Sequence, residues 1–119
     1  MARALRFYRE VLGCEEERRV DSIGLVQLRA GRSLIDLVDA YGSMGRSRGV
    51  PPGKEGHNMD HVCLRLEPWD EERVRAHLEA HGIEPGETQQ RYGAEGSGPS
   101  IYIRDPDGNT VELKGPPAE

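Results

Sequence analysis

Apolar positions along the chain follow two periods. Ala4, Leu5, Tyr8, Val11 and Leu12 recur at helical spacing and stop at Gly13, a residue suited to the left-handed conformation just past a helix end. The spacing predicts an amphipathic helix over residues 3–12. A second helix is expected from Trp69 to His81, opened by Pro68, Asp70, Glu71 and Glu72, whose rigidity and negative charge suit a helix start, and closed by Gly82. Short alternating runs predict half-buried strands at Ile23–Arg29, Leu34–Val38, Asp60–Leu66, Ser100–Arg104 and Thr110–Lys114. Asp105-Pro106-Asp107-Gly108-Asn109 is dense in turn formers and should join the last two as a tight hairpin, as Ala30-Gly31-Arg32 does earlier.

Two stretches lack periodicity. Residues 41–58 read as a linker between halves. Residues 88–99, which contain Arg91-Tyr92-Gly93-Ala94-Glu95-Gly96, read either as a substrate lid or as a surface loop, so Arg91 and Tyr92 become candidates for substrate contact. The halves repeat each other. Leu12-Gly13 corresponds to His81-Gly82, and Ile35-Asp36-Leu37 corresponds to Val111-Glu112-Leu113. The expected fold is α+β, with module one at 1–41, a linker at 42–58 and module two at 59–115, all within one domain. Each module reads helix, strand, strand, strand. Module two has an additional opening strand that carries His61, and module one lacks the equivalent.

Composition narrows the function classes. A chain of 119 residues with 35% hydrophobic residues, one Trp and one Phe has a modest core, for which burial in a homodimer would be a considerable help. A net charge of −5, with 14 Arg and 2 Lys spread along the chain, lacks the clustered cations of a sequence-independent nucleic-acid binder. No apolar run approaches the roughly 20 residues needed to span a bilayer. Cys14 and Cys63 have neither CxxC nor zinc-knuckle spacing and are taken as free thiols of a cytoplasmic protein. Gly53-Lys54-Glu55 lacks the spacing of a phosphate loop, and Asp105-Pro106-Asp107-Gly108 lacks the closing Glu of a calcium loop. His57, His77 and His81 fall in a loop and on a helix, where solvent-exposed roles are expected.

Alternation within strands places the chemistry. Val62, Leu64 and Leu66 form one apolar set, leaving His61, Cys63 and Arg65 on the other face; likewise Glu112 opposes Val111 and Leu113, and Asp36 opposes Ile35 and Leu37. If the repeated halves curl about a common axis, His61, Glu112 and Asp36 converge, and an imidazole with carboxylates suits a first-row divalent ion. The alternatives are a hydrogen-bonded structural histidine and carboxylates on a wet sheet face. Arg65 and Tyr102 share the inner face and are candidates to orient an anionic substrate, with plain surface roles as the alternative. Cys63 beside His61 is a candidate nucleophile or a small buried residue.

Three segments carry a family resemblance. Met59-Asp60-His61-Val62-Cys63-Leu64-Arg65-Leu66 resembles the His-bearing strand that opens the second module of vicinal-oxygen-chelate (glyoxalase-like) proteins. Phe7-Tyr8-Arg9-Glu10-Val11-Leu12-Gly13 is similar to their first helix end, and Asp105 to Leu113 to their closing segment. The tract from Arg91 to Asn109 further resembles a bacterial branch labelled virulence proteins. The resemblance implies two βαβββ modules and His61 and Glu112 as metal ligands, with Asp36 where glyoxalase I carries a ligand glutamate. It implies Ni, Mn, Fe or Zn as the metal, with glutathione or another thiol as a possible co-substrate. The chemistry it implies is that of a lyase or isomerase (lactoylglutathione lyase-like), a thiol transferase or a dioxygenase acting on a small oxygen-rich molecule, with Asp36 and Glu112 as catalytic carboxylates. The sequence departs from the family in lacking the first module's ligand-bearing strand. A metal-free sequestering protein of the bleomycin-resistance type, or an inactive truncated homologue, is the alternative expectation.

Overall fold

The first apolar stripe becomes helical in two registers. In the computed structural model, which describes residues 1–56 and 59–117, α1 spans Ala2–Arg6 and continues as a π-helix over Phe7–Val11. The wider turn carries the Leu12 N–H to the Phe7 carbonyl at 3.2 Å. Ala4, Phe7 and Tyr8 are buried, the two rings meeting edge to face at 5.0 Å between centroids. Gly13, at φ +76°, ends the element as its sequence position suggests.

The chain forms two compact units, Met1–Asn58 and Met59–Glu119. The first carries a three-stranded antiparallel sheet in the order β1 (Glu15–Val20), β2 (Leu25–Ala30), β3 (Ser33–Val38). β2 supplies the buried Leu25, Val26 and Leu28. β1 is invisible to periodicity, since its sequence EEERRV is exposed almost throughout. It is held as an edge by ladder bonds and by cross-strand charge, as where Arg29 Nη2 meets both carboxylate oxygens of Glu17 at 2.7 Å. A short α2 (Ser43–Arg46) falls inside the segment read as linker. His57, read from sequence as a loop residue, lies outside the described residues.

The second unit is a four-stranded sheet in the order β4-β7-β6-β5, made of β4 (His61–Arg65), β5 (Gln89–Gly93), β6 (Gly96–Arg104) and β7 (Thr110–Lys114). β4 and β7 are parallel; the other pairs are antiparallel. α3 (Glu71–Ala80) follows β4, and Asp70 caps it by accepting the Arg73 N–H at 3.2 Å. One side of this sheet is apolar core: Ile101, Ile103, Val111 and Leu113, with Leu78 of α3 also fully buried. The β6–β7 turn is tied by Asp105, whose Oδ1 accepts the N–H groups of Asp107 at 2.9 Å and Asn109 at 2.8 Å while Oδ2 accepts Asn109 Nδ2 at 2.9 Å. Gly108 there has φ +83°.

The architecture is thus the expected mixed α+β one, with sheets of three and four strands. The reading of residues 88–99 as an irregular lid or loop is corrected. Gln89–Gly93 pairs with Gly96–Ser100 as a hairpin, because backbone pairing needs no apolar alternation when the partner strand is already anchored in the core. Among the described residues no helix is long and apolar enough to cross a membrane.

Candidate functional site

Register brings the chemistry of the second unit onto one face. Across β4, β7 and β6, Cys63 stands opposite Glu112 and Glu112 opposite Tyr102; one step along lie Arg65, Lys114 and Ser100. Alternation therefore places His61, Cys63, Arg65, Glu112, Lys114, Ser100 and Tyr102 on the side away from Val111 and Leu113. His61, Cys63 and Arg65 on β4 are exposed, but the middle of this face is dry. Ser100, Glu112 and Lys114 are 0%, 4% and 5% exposed.

At its centre, His61 Nε2 lies 3.3 Å from Glu112 Oε1. The other ring nitrogen, Nδ1, is 2.6 Å from Asp60 Oδ2, a contact that calls for a proton on Nδ1. Nε2 then faces a carboxylate oxygen, and the pair is favourable when a proton or a shared cation sits between them. A separation of 3.3 Å is about what two donors adopt when each lies ~2.1 Å from one tetrahedrally disposed ion. The donor set, an imidazole and a carboxylate with an outer carboxylate on the imidazole, is that of first-row divalent sites. His61 and Glu112 fit such an ion as two of its donors, with the remaining positions left to water or substrate.

A chain of polar contacts supports Glu112 from behind. Ser100 Oγ donates to Glu112 Oε2 at 2.8 Å. Arg91 Nη1 donates to Ser100 Oγ at 2.8 Å and to its carbonyl at 2.9 Å, and the Arg91 guanidinium carbon lies 4.1 Å from the Tyr102 ring centroid. Tyr102 in turn meets the His61 ring edge-on at 5.7 Å. Burial foremost, and then the charge of Glu112, push the Cys63 thiol above its usual range, with Lys114 opposing. That environment disfavours the thiolate a nucleophile requires. Beside His61 and Tyr102 opens a cavity of about 670 Å³, also lined by Asp60, Arg104, Thr110 and the Gly82–Gly86 connection.

The sequence candidates divide accordingly. His61, Glu112, Tyr102 and Arg91 come together in the second unit. Arg65 is engaged through Nε with Glu95 Oε1 at 2.9 Å. Tyr92 is 78% exposed and, as the residue next to Arg91 on β5, points to the opposite side. Asp36 belongs to the first unit, where its Oδ1 accepts Gln27 Nε2 at 3.1 Å. Among the described residues, no three His, Cys, Asp or Glu side chains gather into a group able to hold a metal ion. Sequence reasoning missed Asp60, Ser100 and Lys114. The last two were signalled by alternation with Tyr102 and Glu112, and Asp60 by its adjacency to His61.

The chain matches the Glyoxalase/Bleomycin resistance protein/Dioxygenase superfamily over residues 1–113 and belongs to that family. Solved structures similar to it include an integron cassette protein from the mobile metagenome of V. cholerae, with 25% identity, TM-score 0.75 and coverage of 97% of this chain and 85% of that one. A virulence protein from Salmonella typhimurium has 27% identity, TM-score 0.75 and coverage of 98% and 87%. A lactoylglutathione lyase from Agrobacterium tumefaciens has 26% identity, TM-score 0.67 and coverage of 96% and 84%. No curated protein matches the chain.

Proposed function

We propose that this protein is a divalent-metal-dependent glyoxalase-like enzyme acting on a small oxygen-rich substrate, with His61 and Glu112 holding the metal. The observation that carries the reading is the 3.3 Å approach of His61 Nε2 to Glu112 Oε1 with Asp60 already engaging Nδ1. When bound, a divalent ion there supplies Lewis acidity towards neighbouring substrate oxygens. The chain's own groups do the rest. Asp60 orients the imidazole. Ser100 holds Oε2 of Glu112 and so leaves Oε1 directed at His61 Nε2, where the ion would be held. Tyr102, backed by Arg91, offers a ring face and a hydroxyl for positioning substrate. The likeness to a lactoylglutathione lyase at 26% identity supports a lyase or isomerase with a thiol co-substrate ahead of a thiol transferase or dioxygenase. We also propose a homodimer, which analytical ultracentrifugation would check.

The test is calorimetric titration of nickel, manganese and zinc into dialysed protein. Saturable binding near one ion per chain, lost in His61→Ala and Glu112→Gln, is expected. Absence of binding, or binding that His61→Ala leaves unchanged, overturns the reading. A metal-free ligand-sequestering role is the second reading. It is favoured by the Tyr102 ring, which is 36% exposed and stacked on Arg91 as a platform for a planar ligand.

A further inference from the structure

Two residues beyond Glu112 on β7, on the same face, Lys114 is only 5% exposed. Register sets it opposite Ser100 of β6 and Arg65 of β4. Glycines make room for its side chain: a Cβ at Gly93 would lie 2.6 Å from Lys114 Cε and 2.8 Å from Cδ, and one at Gly98 would lie 3.1 Å from Nζ. The neighbouring cations are already engaged, Arg65 with Glu95 and Arg91 with Ser100. The Lys114 ammonium has neither a hydrogen bond nor an ion pair among the described residues. Every fully buried polar side-chain atom there does have a partner, so the ammonium tip keeps contact with solvent while its stem is enclosed. Among the described residues, then, the stem is held in place while the charge it carries is left to solvent alone.

We propose that Lys114 marks an oxyanion-binding site, taking the carboxylate or phosphate group of a small substrate by a charge-assisted hydrogen bond. Gly93 and Gly98 keep that end of the face free of side chains that would cover the ammonium. The inference deepens the reading above and rests on it for where the reacting oxygens lie. Two strand positions separate Lys114 from Glu112, about 7 Å along β7, so a substrate of a few carbon atoms spans from the reacting end to its anionic end.

The test titrates inorganic phosphate, and separately acetate, into EDTA-dialysed protein, read by amide chemical shifts and calorimetry. Wild type should bind at least one of the two saturably, and Lys114→Met should bind about tenfold more weakly or worse. Gly93→Ala keeps the charge but drives the lysine stem from its seat, since the nearest atoms the new methyl meets are those of that flexible side chain, and should also weaken the anion. Nickel binding should survive both substitutions. Failure of wild type to bind either anion, or Lys114→Met affinity within about twofold of wild type, overturns the proposal. If Lys114→Met does not fold, unchanged anion binding by Gly93→Ala overturns it instead. Nickel binding without anion binding sinks only this site; anion binding without nickel sinks only the metal reading.

Discussion

Ser100→Ala tests whether Glu112 is held in place by its neighbours. Ser100 is 0% exposed; its hydroxyl donates to Glu112 Oε2 at 2.8 Å and accepts from Arg91 Nη1 at 2.8 Å. In the alanine variant Arg91 keeps the Ser100 carbonyl it already reaches at 2.9 Å, so the loss without compensation is the buried bond to the carboxylate. A hydrogen bond to a charged group contributes about 1.5–3 kcal/mol, and ~2 kcal/mol is the expected destabilisation. With a urea slope of about 1.5 kcal/mol per M for a chain of this size, the unfolding midpoint should fall by about 1.3 M. Glu112 would also lose its fixed rotamer, and nickel affinity should drop by about tenfold, the usual cost of removing an outer-shell partner. Urea unfolding by far-UV circular dichroism reads the first effect and calorimetry the second. Ser100→Thr retains the hydroxyl and should keep most of both. A midpoint for Ser100→Ala within about 0.3 M of wild type, with nickel affinity unchanged, would refute the idea that this hydroxyl positions Glu112.

Asp60→Asn weakens the carboxylate contact on His61 Nδ1 and should lower nickel affinity several-fold without moving the urea midpoint; equal affinity would show that the ring is oriented by something else. Asp105→Ala removes an acceptor that ties Asp107 and Asn109 and should cost about 2 kcal/mol, seen as a lower urea midpoint than Asn109→Ala gives. Burial raises the thiols of both Cys14 and Cys63, with Glu112 adding to the effect at Cys63. Iodoacetamide should therefore modify Cys63 more slowly at about pH 8 than it does a free cysteine, with its acceleration displaced to higher pH. Because the folded values are raised, the linked stability is present below the ordinary thiol value, about 8.5, and is lost as pH climbs through the raised ones. The fall in midpoint above that pH should be shallower in Cys63→Ser, and identical slopes would count against the assignment.

What was legible of the fold tracks what burial enforces. α3 and the strands β2, β3, β4 and β7 each carry an apolar set on one side, so period alone locates them within a residue or two, while β6 starts at Gly96, ahead of the alternating run that begins at Ser100. β1 and β5 carry none. EEERRV is an edge whose side chains meet water and one another, and QQRYG completes a hairpin because β6 offers it a free ladder edge. Their positions follow from neighbours that are remote in the pattern, which is why the segment around Arg91 read as a lid. The π-helix over Phe7–Val11 is equally silent, since the same apolar residues serve an α-helical stripe.

The site was half legible for a related reason. Alternation put His61, Glu112 and Tyr102 on one side of the sheet, but it treats the side opposite an apolar row as solvent-facing by default. Ser100, Glu112 and Lys114 break that default, being buried on a polar side. Ser100 and Glu112 are tolerated there because each is another's hydrogen-bond partner, with Arg91 and His61 at the ends of the chain. Lys114 has no such partner, so the same accounting that explains its neighbours leaves its charge unexplained within the described residues. A buried polar group that its surroundings satisfy reports on the fold. One whose stem they enclose while its charge is left to solvent, as at Lys114, points to what the face is built to receive, and partners and distances separate the two.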